Sequence, residues 1–143
     1  MSINWAIEWP EIEKVAADYF VDPLFIAAIR RAENGAAGRE FGVLSEPADG
    51  YDGQLRACCG TVRRKVRVYI GNPFTTIQGP SVQRCVYSRA FVEWFAYGDK
   101  KTGGVESGWC PEGAENDPKN LNANWPKNVA AGYYGWAALG RVQ

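Results

Sequence analysis

Histidine is absent from the 143 residues, which removes the Ser-His-Asp and Cys-His nucleophile systems and every histidine-containing zinc site. Acid and base work is left to carboxylates. A surplus of either charge is also absent: 16 Lys and Arg balance 16 Asp and Glu. The field that draws proteins to nucleic acid or anionic membranes is therefore missing, and a charged partner must be read by a local patch. No window approaches the roughly 20 apolar residues of a membrane span. The amino terminus, MSINWAIEWPEIEK, lacks the basic stretch and apolar core of a secretory signal, so the chain is expected to be made in the cytoplasm without a Sec-type signal of its own. The four cysteines, Cys58, Cys59, Cys85 and Cys110, match neither a CxxC metal pair nor a redox motif. Adjacent cysteines rarely aim both sulfurs at one metal, so all four read as small buried hydrophobes in a reduced protein; a Cys85–Cys110 bridge is the alternative. No metal and no organic cofactor is implied.

What is present is enough apolar side chain for a core. At 46% hydrophobic residues, a chain of this length buries roughly two-thirds of its unfolded surface, and it reads as a single domain, 1–143, mainly α with long ordered loops. Residues 9–20 open with Trp-Pro-Glu and place Ile12, Val15, Ala16 and Tyr19 at helical spacing. Asp22-Pro23 is an N-cap followed by proline at the first helical position, opening a helix that Gly35 is expected to close. Residues 35–53 are too rich in glycine for a helix and read as a loop or short hairpin. Residues 54–69 fit a helix with Arg63, Arg64 and Arg67 on one side, although its VRVYI ending also fits a strand. A turn-rich connection, 71–81, leads to a helix over 82–97 whose expected core face is Val82, Cys85, Val86, Arg89, Val92 and Phe95. Residues 98–124 form an ordered loop anchored by Trp109 and Trp125, and a last helix begins near Pro126 and carries Val129, Tyr133 and Trp136.

Glu33 falls in the last turn of the second helix, on a face shared with Ile26 and Ile29. The negative end of a helix dipole and a partly apolar surround are a costly place for a carboxylate. A general acid sits in such a place; so does a solvated glutamate paired with Arg30, which is the competing reading from local sequence.

The run FVDPLFIAAIRRAENGAAGREFGVLS resembles the motif of the soluble lytic transglycosylase and goose-type lysozyme family, in which a helix ends on a catalytic Glu and a Gly-Leu-Met-Gln-like turn follows. Glu33 matches that Glu, and Gly42-Val43-Leu44-Ser45 matches the turn, which in the family lines the sugar groove with backbone groups. Asn34 and Ser45 stand where the family usually has Ser and Gln. GWCPEGAENDPKNLNANWPKNV resembles a segment of a phage-associated and prophage-associated branch. It occupies the place of the family's tyrosine-bearing motif, with Trp109 nearest the tyrosine and Tyr87 and Tyr97 as alternatives. The resemblance implies a lysozyme-like helical domain that cleaves peptidoglycan glycan strands at the N-acetylmuramic acid–N-acetylglucosamine bond, with Glu33 as general acid and base.

On this reading Asn34, Gly42, Val43, Leu44, Ser45, Tyr87, Trp109, Asn116 and Asp117 contact substrate. The partner is the glycan strand rather than nucleic acid, and a monomer is expected. A hydrolase or endolysin would need a second carboxylate, for which Glu40, Glu46, Asp49 and Asp52 are candidates. A non-catalytic wall-binding or virion structural domain of the same fold is a different class of reading; retention of Glu33 weighs against it. Six tryptophans and seven tyrosines exceed what so small a core requires. Trp109, Tyr133 and Tyr134 could pack on the flat faces of sugars, or serve as core and loop anchors. The basic run 63–67 could meet the carboxylates of peptide stems, with a solvated helix face as the plainer reading. Without its own signal the enzyme would reach the wall through a holin, a phage particle or a dedicated secretion machine.

Overall fold

The computed structural model describes residues 3–43, 50–70, 87–98, 108–110 and 121–142, apart from the side chains of Ile70, Leu121 and Asn122. Among these residues the protein is mainly α, with helices α1 (Trp5–Tyr19), α2 (Pro23–Glu33), α3 (Gly50–Ile70), α4 (Arg89–Tyr97) and α5 (Trp125–Leu139). A single 3-10 turn, Leu121–Asn124, leads into α5. No described helix is long and apolar enough to cross a membrane. Residues 82–86 of the expected fourth helix, and with them Val82, Cys85 and Val86, lie outside the described residues.

α2 is the centre. Leu24 to Ile29 are buried without a break and Arg30 is nearly so, and a helix apolar all round must be enclosed by other elements. α1 and α5 pack against it, α3 packs on α1, and α4 packs on α5. The helix starts where the sequence indicates: Asp22 accepts from Leu24 N–H at 2.9 Å, with Pro23 at the first position. Asp22 is itself fully buried and takes a second hydrogen bond, from the Tyr133 hydroxyl at 2.8 Å, so one carboxylate caps α2 and ties it to α5. The Phe25 ring stands among Tyr87, Phe91, Phe95 and Tyr133, with centroids 4.6 to 6.0 Å away. Burying a ring of this size contributes roughly 1.5–3 kcal/mol.

Element boundaries differ from the sequence expectation where distant contacts decide them. α1 begins at Trp5 rather than Trp9, with Pro10 inside it; Trp5 packs edge-to-face on Trp136 at 5.5 Å, which holds a first turn that local propensity would not. α2 is closed by Asn34, in the left-handed region at φ 42°, rather than by Gly35. α3 starts at Gly50 and stays helical through the VRVYI ending, because Val66 continues the buried stripe of Leu55, Cys58, Cys59 and Val62. Its basic residues do not share one solvated side. Lys65 is buried with its ammonium 5.3 Å from the Trp94 ring centroid, and Arg63 lies over Phe20 at 5.7 Å. On α4, Phe91 is a core residue and Arg89 is not: Phe91 is fully buried, whereas Arg89 pairs with Glu93 in solvent at 3.1 Å.

Cys58 and Cys59 are free and fully buried, and Cys110 is buried as well. Burial pushes the Cys58 thiol well above its ordinary value of 9.0, with the nearby Cys59 and Glu33 adding to the effect. Burial likewise pushes Cys59 up to about 12. Both thiols should therefore resist alkylation at pH 8 in the folded protein and react once it is unfolded, as peptide mass mapping would show. In the unfolded chain they lose their protons near 9.0, while the folded chain keeps them. Stability from these groups is thus complete below that pH and is lost as pH rises above it. Denaturant midpoints that stay level from pH 8 to pH 11 would contradict this.

Candidate active site

Glu33 is the last residue of α2 and is half-buried. Asn34 turns the chain, its N–H returning to Arg30 O at 2.9 Å, and a short loop then folds back across the helix end. Gly35 is needed at the crossing, since a Cβ there would run into the backbone carbonyl of Arg39. Arg39 N–H bonds Ala36 O at 2.8 Å and Gly42 N–H bonds Arg39 O at 3.0 Å, which brings Gly42 against the Glu33 side chain. Gly42 has φ +72°, and a Cβ on it would overlap Glu33 Oε2. Both facts require glycine.

The turn is pinned from behind by Gln54 of α3, which is fully buried. Its Oε1 accepts from Phe41 N–H at 3.2 Å and Val43 N–H at 3.1 Å, and its Nε2 donates to Val43 O at 2.7 Å. One side-chain amide thus satisfies three backbone groups, as a neighbouring strand would.

The other carboxylate oxygen is held by two tryptophans. Trp109 Nε1–H donates to Glu33 Oε1 at 2.8 Å, and Trp125 Nε1–H donates to the same atom at 2.9 Å. Trp109 is placed by backbone pairing: its N–H bonds Phe95 O and that of Cys110 bonds Ala96 O, each at 2.9 Å, meeting carbonyls that the end of α4 leaves open. Trp125 is placed as the first residue of α5. Phe95 lies beneath both indoles, stacked on Trp109 at 5.4 Å and on Trp125 at 5.9 Å. The order is therefore a core phenyl ring, two indoles on it, and one carboxylate oxygen at their N–H edges.

Arg30 does not pair with Glu33. It is nearly buried and forms a two-point ion pair with Glu8 of α1, at 2.7 and 3.1 Å. The Tyr51 phenol beside it is raised above its ordinary range, chiefly by burial and next by Glu8, so it stays neutral.

Of the residues expected to meet substrate, the structure brings together Glu33, Gly42 and Trp109. Asn34 supplies the helix cap and is exposed. Val43 is close by in sequence, but its N–H and C=O both bond Gln54 and its side chain is buried, so these groups support the turn. Tyr87 is not at the site. It is fully buried against Phe25 at 4.6 Å, and its hydroxyl accepts from Asp22 N–H at 3.4 Å. Tyr97 donates to Ala123 O at 3.2 Å. Tyr133 is a core residue on Asp22, while Tyr134, 44% exposed, donates to Tyr87 O at 2.8 Å. Asp52 pairs with Arg56 in solvent at 2.9 Å, and Glu40 accepts from Gly38 N–H at 3.0 Å. Leu44, Ser45, Glu46, Asp49, Asn116 and Asp117 lie outside the described residues, as does the side chain of Asn122.

Two residues that matter here carry no local signal. Trp125 reads in sequence only as a loop anchor beside a helix-starting proline, and Gln54 as one polar residue among many. Comparison with protein-family models, with curated proteins and with solved structures gave no match for this chain.

Gly38 provides a control for Gly42. Both have positive φ, but a Cβ at Gly38 would meet nothing within 4 Å. Gly38→Ala should cost only the left-handed backbone penalty, about 1–2 kcal/mol. Gly42→Ala should cost that plus the overlap with Glu33, roughly a further 1–3 kcal/mol, and should disturb tryptophan emission. Equal losses in denaturant melts would mean that Gly42 does not pack on the carboxylate.

Proposed function

We propose that this chain is a peptidoglycan-cleaving lytic transglycosylase of lysozyme-like fold, with Glu33 as general acid and then general base. The observation that carries this reading is the state of Glu33. It is a half-buried carboxylate at a helix end, with one oxygen held by two indole donors and the other against Gly42. A glutamate kept only for solubility has no need of two tryptophans from distant segments. The resemblance around Glu33 and Gly42 supplies the substrate class.

In the first step Glu33 gives its proton to the bridging oxygen as the bond from muramic C1 to that oxygen breaks, leaving N-acetylglucosamine with a free hydroxyl. In the second, the muramic C6 hydroxyl bonds to C1 and passes its proton to the Glu33 carboxylate, closing a 1,6-anhydro ring and restoring the acid. Nucleophile and electrophile share one sugar, so proximity replaces a bound water. A hydrolase would instead need a second carboxylate about 5 Å, or roughly 6.5–9.5 Å, from the acid. Of the four sequence candidates, Asp52 pairs with Arg56 in solvent and Glu40 accepts from Gly38 N–H, while Glu46 and Asp49 lie outside the described residues.

Glu33→Gln preserves shape but cannot donate the proton. It should lower the rate of turbidity loss of purified cell walls at least about 100-fold without lowering the melting temperature. Lysis at the parent rate would remove Glu33 from the chemistry.

A further inference from the structure

The manner in which Glu33 is held selects which of its oxygens can act. Indole N–H is a donor only, and both Trp109 and Trp125 direct theirs at Oε1, at 2.8 and 2.9 Å. A carbonyl-type oxygen has two lone pairs in its plane, and two donors occupy both. An oxygen so occupied has no room for the acidic proton. Oε2 is in the opposite condition: no donor among the described residues is directed at it, and it faces Gly42, which has only hydrogen where any other residue has a Cβ.

We infer that Trp109 and Trp125 are positioning residues that make Oε2 the proton-carrying oxygen of Glu33, the atom that delivers the proton to the glycosidic oxygen. This rests on the reading of Glu33 as the proton donor. The two indoles act through Glu33 and need not touch the reacting atoms. Their common support on Phe95 keeps the carboxylate from rotating about its terminal torsion, a soft, roughly two-fold one when unconstrained. A free carboxyl would present either oxygen and either proton position; this one presents a single arrangement.

The amide of Glu33→Gln is then an oriented mimic of the protonated acid. Indole donors reject an NH2 group, so its oxygen takes the place of Oε1 and its nitrogen the place of Oε2.

The test has two arms. In the first, Trp109→Phe and Trp125→Phe keep an aromatic ring over Phe95 while removing the N–H together with the rest of the five-membered ring. Each should lower kcat about tenfold or more through loss of alignment, with KM for soluble glycan chains changed less than about threefold. Parent kcat in both variants would overturn the inference, and so would a loss confined to KM. In the second arm, the indole Nε1–H resonances of Trp109 and Trp125 are followed by 15N NMR without substrate. Both should persist nearly unshifted in Glu33→Gln and both should move in Glu33→Leu. Large displacement in Glu33→Gln, which is isosteric, would show that the amide is not oriented as inferred. Failure of the functional reading is distinct: the parent protein would then not cut walls, while the resonances would still report whether the clamp exists.

Discussion

Two indole N–H groups meeting on one carboxylate oxygen form the contact around which this protein is arranged. They come from positions 76 and 92 residues beyond Glu33 in the chain, so the contact exists only when α2, the end of α4 and the start of α5 are assembled together. A half-buried acceptor without partners costs on the order of 1–3 kcal/mol, and two good donors remove that cost. Glu33 at the end of a core helix is therefore tolerable because Trp109 and Trp125 are there. Their placement depends on Phe95, which packs edge-on against Phe25 at 5.7 Å and so links the carboxylate to the middle of the core.

The same dependence explains what could be read in the sequence. α2 and the place of Glu33 at its end were legible because the information is local: an Asp-Pro start, an unbroken apolar run, and a polar turn after it. Gly42 was legible for the same reason, since it lies nine residues past Glu33 in a motif that resembles a known turn. Trp125 was not, because nothing in its neighbourhood distinguishes an indole that anchors a loop from one that holds a carboxylate. Gln54 was equally silent; its role appears only when α3 is laid behind the 41–43 turn. The error over Arg89 is of a related kind. Helical spacing admits both it and Phe91 near the core face of α4, and the aromatic cluster around Phe25 takes Phe91, leaving Arg89 to solvent. Boundaries shifted at Trp5 and Gly50 because tertiary packing extends a helix beyond what its terminal residues would hold alone.

Much of the aromatic richness that suggested a sugar-lined groove goes into two uses. Tyr87, Tyr133, Phe91 and Phe95 build a ring cluster about Phe25, and the buried hydroxyls of Tyr87 and Tyr133 both meet Asp22. Trp109 and Trp125 form the edge of that cluster, where their polar N–H groups reach the carboxylate. The core and the candidate site are thus one continuous structure, and the turn carrying Gly42 closes it on the side of Oε2. With no histidine in the chain, the proposed chemistry asks a single carboxylate to serve in turn as acid and base. A substrate that carries its own nucleophile makes that sufficient.

The central claim is that Glu33 works alone on a glycan strand that attacks itself, and product analysis tests it most directly. Purified peptidoglycan digested by the parent protein should release fragments that end in 1,6-anhydromuramic acid, each one water lighter by mass spectrometry than the corresponding reducing-end product. Fragments with mainly reducing ends would contradict the mechanism by requiring a water nucleophile and a second carboxylate, and the absence of any released fragment would contradict the assignment of glycan cleavage itself.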